Sequence, residues 1–138
     1  MGYGKSFAAV LLLAGCTATP EESGTLVGPV WLAEQVAGGA LPTEPQVTLQ
    51  FAADGSAAGN AGCNQYSGPY QTTGNGISFG AMISTKMACE GDVMEREQAY
   101  LDMLSRVSSY EVRNNAELIL SADDGLRIRL RRADEEPM

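Results

Sequence analysis

Apolar and polar residues alternate in short runs along most of the chain, and the runs are separated by Gly-, Asn- and Asp-containing turns. This is the period-2 pattern of half-buried strands. Residues 31–37 (WLAEQVA) alternate loosely and predict a first strand carrying the only tryptophan. Val47, Leu49 and Phe51 alternate ahead of Asp54-Gly55, Ile77 and Phe79 share one face after Asn75-Gly76, and ELILS and LRIRLRR flank Asp124-Gly125. An Asx-Gly pair suits the φ > 0 positions of a type I′ turn, so three antiparallel hairpins are expected.

One segment has helical spacing. Val93, Tyr100, Leu101, Leu104 and Val107 form a stripe that Glu97 interrupts, which predicts a helix over about residues 92–107. Asp92 followed by Glu95 resembles a capping box, and Arg106 suits the negative end of the helix dipole. Several strands, one helix and about three more strands predict an α+β domain. Its expected form is a small antiparallel sheet, strongly curved or partly closed, packed with that helix.

The N-terminal fifteen residues read differently. Lys5 precedes an apolar run from Phe7 to Leu13, and small residues follow, the order of a secretory signal peptide. Leu13-Ala14-Gly15-Cys16 matches the bacterial lipobox, which implies cleavage after Gly15 and lipidation of Cys16. Thr17, where Asp would favour inner-membrane retention, leans toward the periplasmic face of the outer membrane in a Gram-negative cell. Residues 16–29 mix Thr, Pro, Glu, Ser and Gly without period and are expected to tether the lipid to a domain spanning 30–132. Residues 133–138 form an acidic tail.

Charge and composition narrow the function. The chain carries 9 basic and 17 acidic residues, a net charge of −8. Removing the leader, whose only charged residue is Lys5, makes the remainder −9. Such a balance repels phosphate backbones, so no nucleic-acid partner is expected. There is no histidine, which removes the commonest general base and metal ligand. No nucleophile–base–orienter set can be composed, so no catalytic residue, metal or cofactor is expected.

Three cysteines are an odd number, but lipidation of Cys16 accounts for one. Cys63 and Cys89 then pair by default as a disulfide in an exported protein. The alternative, a reactive thiol, has neither a CxxC spacing nor a histidine to activate it.

The residues around these cysteines form a distinctive set of words: Gly62-Cys63-Asn64 with Tyr66, Gly68 and Tyr70, then Thr85-Lys86-Met87-Ala88-Cys89, then Glu97 with Tyr100-Leu101. From about Val30 to Arg131 the chain resembles the META domain, or HslJ-like, family. The resemblance implies a small α+β domain of bacterial lipoproteins and secreted proteins, associated with heat-shock response, antibiotic tolerance and motility, without an agreed molecular activity. On residue chemistry alone, the glycines serve turns, bulges or close backbone approach. Asn64 is expected to take a left-handed conformation or to bond its local backbone, and Tyr66, Tyr70 and Tyr100 to lie in the core with their hydroxyls at its edge.

Other clusters have plain readings. Asp92, Glu95, Glu97 and Asp102 read as a solvated acidic helix face, since paired glycosidase carboxylates must face one another across a cleft. Asp123-Asp124-Gly125 lacks the spacing of a calcium loop. Arg127, Arg129 and Arg131 alternate with Ile128 and Leu130, which places three guanidinium groups on one face of a strand. Such a stripe could engage a carboxylate-rich envelope protein or polymer. The expected function is non-enzymatic: a monomeric, lipid-anchored envelope module for protein interaction or stress tolerance. The alternative is a binder of a small apolar ligand in a half-barrel cavity.

Overall fold

The computed structural model describes residues 26–133 of the 138. The leader, Cys16, most of the tether and residues 134–138 lie outside the described residues. Among the described residues, ten strands and one helix follow in order. They are β1 (Val30–Val36), β2 (Gly39–Ala40), β3 (Thr48–Phe51), β4 (Ser56–Asn60), β5 (Gln65–Thr73), β6 (Gly76–Phe79), β7 (Ile83–Ser84), α1 (Gly91–Arg106), β8 (Val107–Arg113), β9 (Glu117–Ala122) and β10 (Arg127–Arg132). Among the described residues, no helix is long and apolar enough to cross a membrane.

The sheet closes. Around the ring the order is β1-β3-β4-β5-β6-β8-β9-β10, and β10 pairs back onto β1, while β2 and β7 lie outside the ring. The expectation of an α+β domain, with a curved or partly closed sheet packed on a helix, is therefore corrected to a closed eight-stranded antiparallel β-barrel with one short helix. The closing seam runs from Trp31↔Arg132 to Val36↔Ile128, with a bulge between Ala33 and Gln35. That bulge explains the loose alternation of the first strand. Trp31 and Ala33 face inward, and the extra residue lets Val36 do so as well.

Alternating inward residues fill the barrel. Trp31, Leu49, Leu118, Leu120 and Ile128 are fully buried, and Phe51 and Leu130 nearly so. They join Tyr100, Met103 and Leu104 of α1 in one contiguous core. Helix α1 touches both β1 and β6, which stand on opposite sides of an eight-strand ring, so it lies across one end of the barrel as a lid. Filling by side chains is what an eight-stranded barrel of this size allows.

The three expected hairpins form, with different turns. Only Gly55 and Gly125 take positive φ in the first and third, while Asp54 and Asp124 do not. Each of those aspartates instead accepts the N–H two residues on, from Ser56 at 3.0 Å and Leu126 at 3.1 Å. The middle turn centres on Gly74-Asn75, one residue earlier than expected, between the paired Thr73 and Gly76. Positive φ at its first central residue, Gly74, is the requirement of a type II′ turn.

One glycine is required by closeness. A Cβ on Gly59 would stand 2.0 Å from the Thr48 carbonyl oxygen. That carbonyl accepts the Tyr66 hydroxyl at 2.7 Å, and Thr48 Oγ1 accepts the Asn60 N–H at 2.9 Å. Side chains thus extend the β3–β4 pairing past its last backbone pair, Gln50↔Ala58. Gly59→Ala is expected to cost about 1–3 kcal/mol by forcing the strands apart, read as a lower urea midpoint. A variant as stable as the parent would show that the strands separate freely.

Candidate functional site

Cys63 and Cys89 are joined as a disulfide, with Cα atoms 6.0 Å apart. Beside the bond lies a buried polar knot. The Cys63 N–H donates to Glu97 Oε1 at 3.0 Å, the Asn64 N–H to the same oxygen at 2.8 Å, and Asn64 Nδ2 to Glu97 Oε2 at 2.8 Å. Asn64 Oδ1 accepts the Thr85 hydroxyl and the Met87 N–H, both at 2.7 Å. Asn64 Nδ2 also donates to the Met87 carbonyl at 3.2 Å. Asn64 and Glu97 are each only 2% exposed. Both readings made of them from sequence are corrected: Glu97 is not on a solvated face, and Asn64 bonds two distant segments as well as its surroundings.

The electrostatics follow. Burial alone would push the Glu97 carboxyl up. The hydrogen bonds from Asn64 and Cys63, with the Lys86 charge, overcome that and hold it below the usual carboxylate range. Tyr66 and Tyr100 form a second buried pair, their hydroxyls 2.6 Å apart. Since Tyr66 spends its only hydrogen on the Thr48 carbonyl, Tyr100 is the donor between them. Burial raises the pKa of both phenols, so they stay neutral.

Helix α1 starts at Gly91 with Glu90 in the cap position and no side-chain cap, so the Asp92/Glu95 capping box does not form. Arg106, in its last turn, pairs with Asp124 of the β9–β10 turn.

The arginine stripe lies on the outer wall, with Ile128 and Leu130 buried between its members. Its positive charge is largely spoken for. Arg129 Nε donates to Glu117 at 3.0 Å, and Arg131 Nε to Glu34 at 2.8 Å across the closing seam. Arg127 is exposed. These pairs lace β9, β10 and β1 together, and such exposed pairs contribute at most about 1 kcal/mol each.

A groove of about 630 Å³ runs over the outside of β1, β3, β4, β5 and β7. No charged residue lines it, on a chain with 26 charged side chains. Its rim includes Ile83, at 70% exposure the most exposed of the large apolar residues among those described, and Val30 at 36%. These residues were missed in the sequence because each is an ordinary outward position on its own strand. Only the pairing of five strands assembles them.

A helix-lidded eight-stranded antiparallel barrel, tied by one disulfide and a buried carboxylate–amide knot, defines the class of domain. The chain belongs to the META domain family, whose model matches residues 24–135. No curated protein matches it closely enough to serve as a relative. Among solved structures, an NMR structure of a protein from Burkholderia xenovorans is similar at 25% identity and a TM-score of 0.68, covering 95% of this chain and 99% of that one. A second NMR structure has 17% identity and a TM-score of 0.67, covering 83% and 97%. A crystal structure of a DUF4847 family protein from Bacteroides vulgatus has 12% identity and a TM-score of 0.60, covering 83% and 99%. The last two are likenesses of fold alone.

Proposed function

We propose that this META domain is a non-enzymatic binding module, exported and held at a membrane through lipid on Cys16, where it acts as a monomer on an envelope component during stress. One observation carries the binding part. Every described buried side-chain nitrogen or oxygen has a hydrogen-bond partner, and the barrel interior is filled by apolar side chains. The hydrogen-bonding capacity left for another molecule is therefore on the outer wall. An apolar ligand inside the barrel is disfavoured by the same filling, since the space it would need is held by Trp31, Phe51 and Tyr100.

The location rests on the lipobox. Two or three acyl chains on Cys16 would anchor the domain stably, at about 0.8 kcal/mol per buried CH₂. In cells, Cys16→Ala is expected to abolish incorporation of labelled fatty acid and move the protein out of the membrane fraction, with the barrel still folded. Undiminished membrane association of the unlabelled variant would overturn the anchor.

A further inference from the structure

We propose that the outer-wall groove is a binding site for a neutral glycan segment. The geometry begins with a register. Val30 pairs with Gln50, Gln50 with Ala58, Ala58 with Ser67, and Ser67 with Ile83. Five outward residues therefore stand in one row across five strands, roughly 19 Å at the usual strand spacing of about 4.8 Å. The row is long enough for an oligosaccharide rather than a single sugar. Its floor carries almost no side chain, because Ala58 and Gly59 lie at the centre. Val30 and Ile83 stand at its ends as apolar surfaces, suited to the C–H faces of pyranose rings.

The polar groups have fixed orientations. Gln50 gives its amide N–H to the Gly28 carbonyl at 2.8 Å, which leaves its Oε1 as an acceptor. Asn60 Oδ1 accepts the Gly62 N–H at 2.8 Å, which leaves its Nδ2 as a donor. Each amide is thus held by one arm and presents the other, lowering the ordering cost of binding. Gln65, Ser67 and Ser84 add an amide and two hydroxyls to the lining. Such groups match the paired donor and acceptor character of vicinal hydroxyls.

The lack of charge selects the ligand. Phosphorylated or carboxylate-rich polymers would find no cation in the groove, and basic peptides no anion. A peptide strand is recognised chiefly through a sheet edge, where backbone groups are free. Apart from the outer edge of the two-residue β7 at one end, this groove lies on the face of the sheet, where side chains do the recognising. Its volume is in the range of small-molecule sites.

This assignment deepens the binding-module reading and rests on it, but not on the lipid anchor. The test is a titration of the full chain carrying Cys16→Ala with tetra-N-acetylchitotetraose, a neutral β-linked oligosaccharide, followed by amide NMR shifts. Saturable shifts confined to residues 48–50, 58–60, 65–67 and 83–85 are expected, with half-saturation on the order of 1 mM or tighter. Gln65→Ala and Ser67→Ala should each weaken binding about fivefold, the worth of one neutral hydrogen bond, with spectra otherwise unchanged. No saturable shift at about 10 mM, ten times that half-saturation, would overturn the assignment. So would shifts centred on α1 or β8, or equal shifts with an uncharged tetrapeptide. A failed titration alongside intact acyl labelling of Cys16 removes the glycan and leaves the location standing.

Discussion

Replacing Glu97 with alanine is expected to cost about 3–5 kcal/mol, a large part of the stability of a domain this size. The substitution leaves the Cys63 N–H, the Asn64 N–H and one Asn64 Nδ2 hydrogen without the acceptor they now share, and each buried donor left unpaired costs about 1–3 kcal/mol. Glu97→Gln should cost less, about 2 kcal/mol, because its oxygen still serves the two backbone donors while its NH₂ faces the NH₂ of Asn64. The charge adds a pH signature. The folded carboxyl is held below its ordinary range, so its contribution is fully present above the unfolded value of about 4.3. That contribution is lost as pH falls through the lower folded value. Urea unfolding of the parent and of Glu97→Gln should therefore differ by a constant amount above the unfolded value and converge as pH falls below it through the lower folded value. A stability difference unchanged from neutral to acid pH would mean that the glutamate's charge is not what the knot uses.

The helix shows why this residue was misread. Within α1, Val93, Glu97, Tyr100 and Leu104 follow the i, i+4, i+7, i+11 spacing of a single inward stripe, and position 97 sits inside it. Glutamate's usual exposure outweighed that position in the sequence reading, because nothing local to the helix supplies the donors that make burial tolerable. They come from residues 63 and 64, more than thirty positions away. The strands were more legible. Trp31, Leu49, Phe51, Ile77, Ile128 and Leu130 all face the core that their alternation implies. Barrel closure was not legible, since alternation reports which face of a strand is buried and not which strand lies beside it. The β10–β1 seam joins the two ends of the domain. The β8–β9 turn, implied by the three strands expected after the helix, was not placed on particular residues for a related reason. Asn114 and Asn115 both take positive φ, a conformation asparagine tolerates, yet no glycine marks the place.

The functional surface divides in the same way. The arginine stripe was readable because its three members lie on one strand, but the pairing of Arg129 with Glu117 and of Arg131 with Glu34 depends on β9 and β1 flanking β10. The disulfide was readable from compartment and cysteine arithmetic. The groove depends on the register of five strands and left no local trace.

Removing the disulfide by Cys63→Ser with Cys89→Ser is expected to cost about 2–4 kcal/mol. The sequence separation is 26 residues, and closing a loop of that length removes roughly 3.5 kcal/mol of chain entropy from the unfolded state. The native state should change little, because Asn64 already holds Thr85 and Met87 through its own hydrogen bonds. The same two segments are therefore tied twice, once covalently and once by the knot. If the covalent tie acts through the unfolded chain, its cost is independent of the knot. Combining the serine pair with Glu97→Gln should then give the sum of the separate costs within about 0.5 kcal/mol. A coupling above about 1 kcal/mol would show instead that the bond positions Cys63 and Asn64 for Glu97. Its loss would then be a native-state effect, visible as shifted amide resonances at residues 63–64 and 85–89.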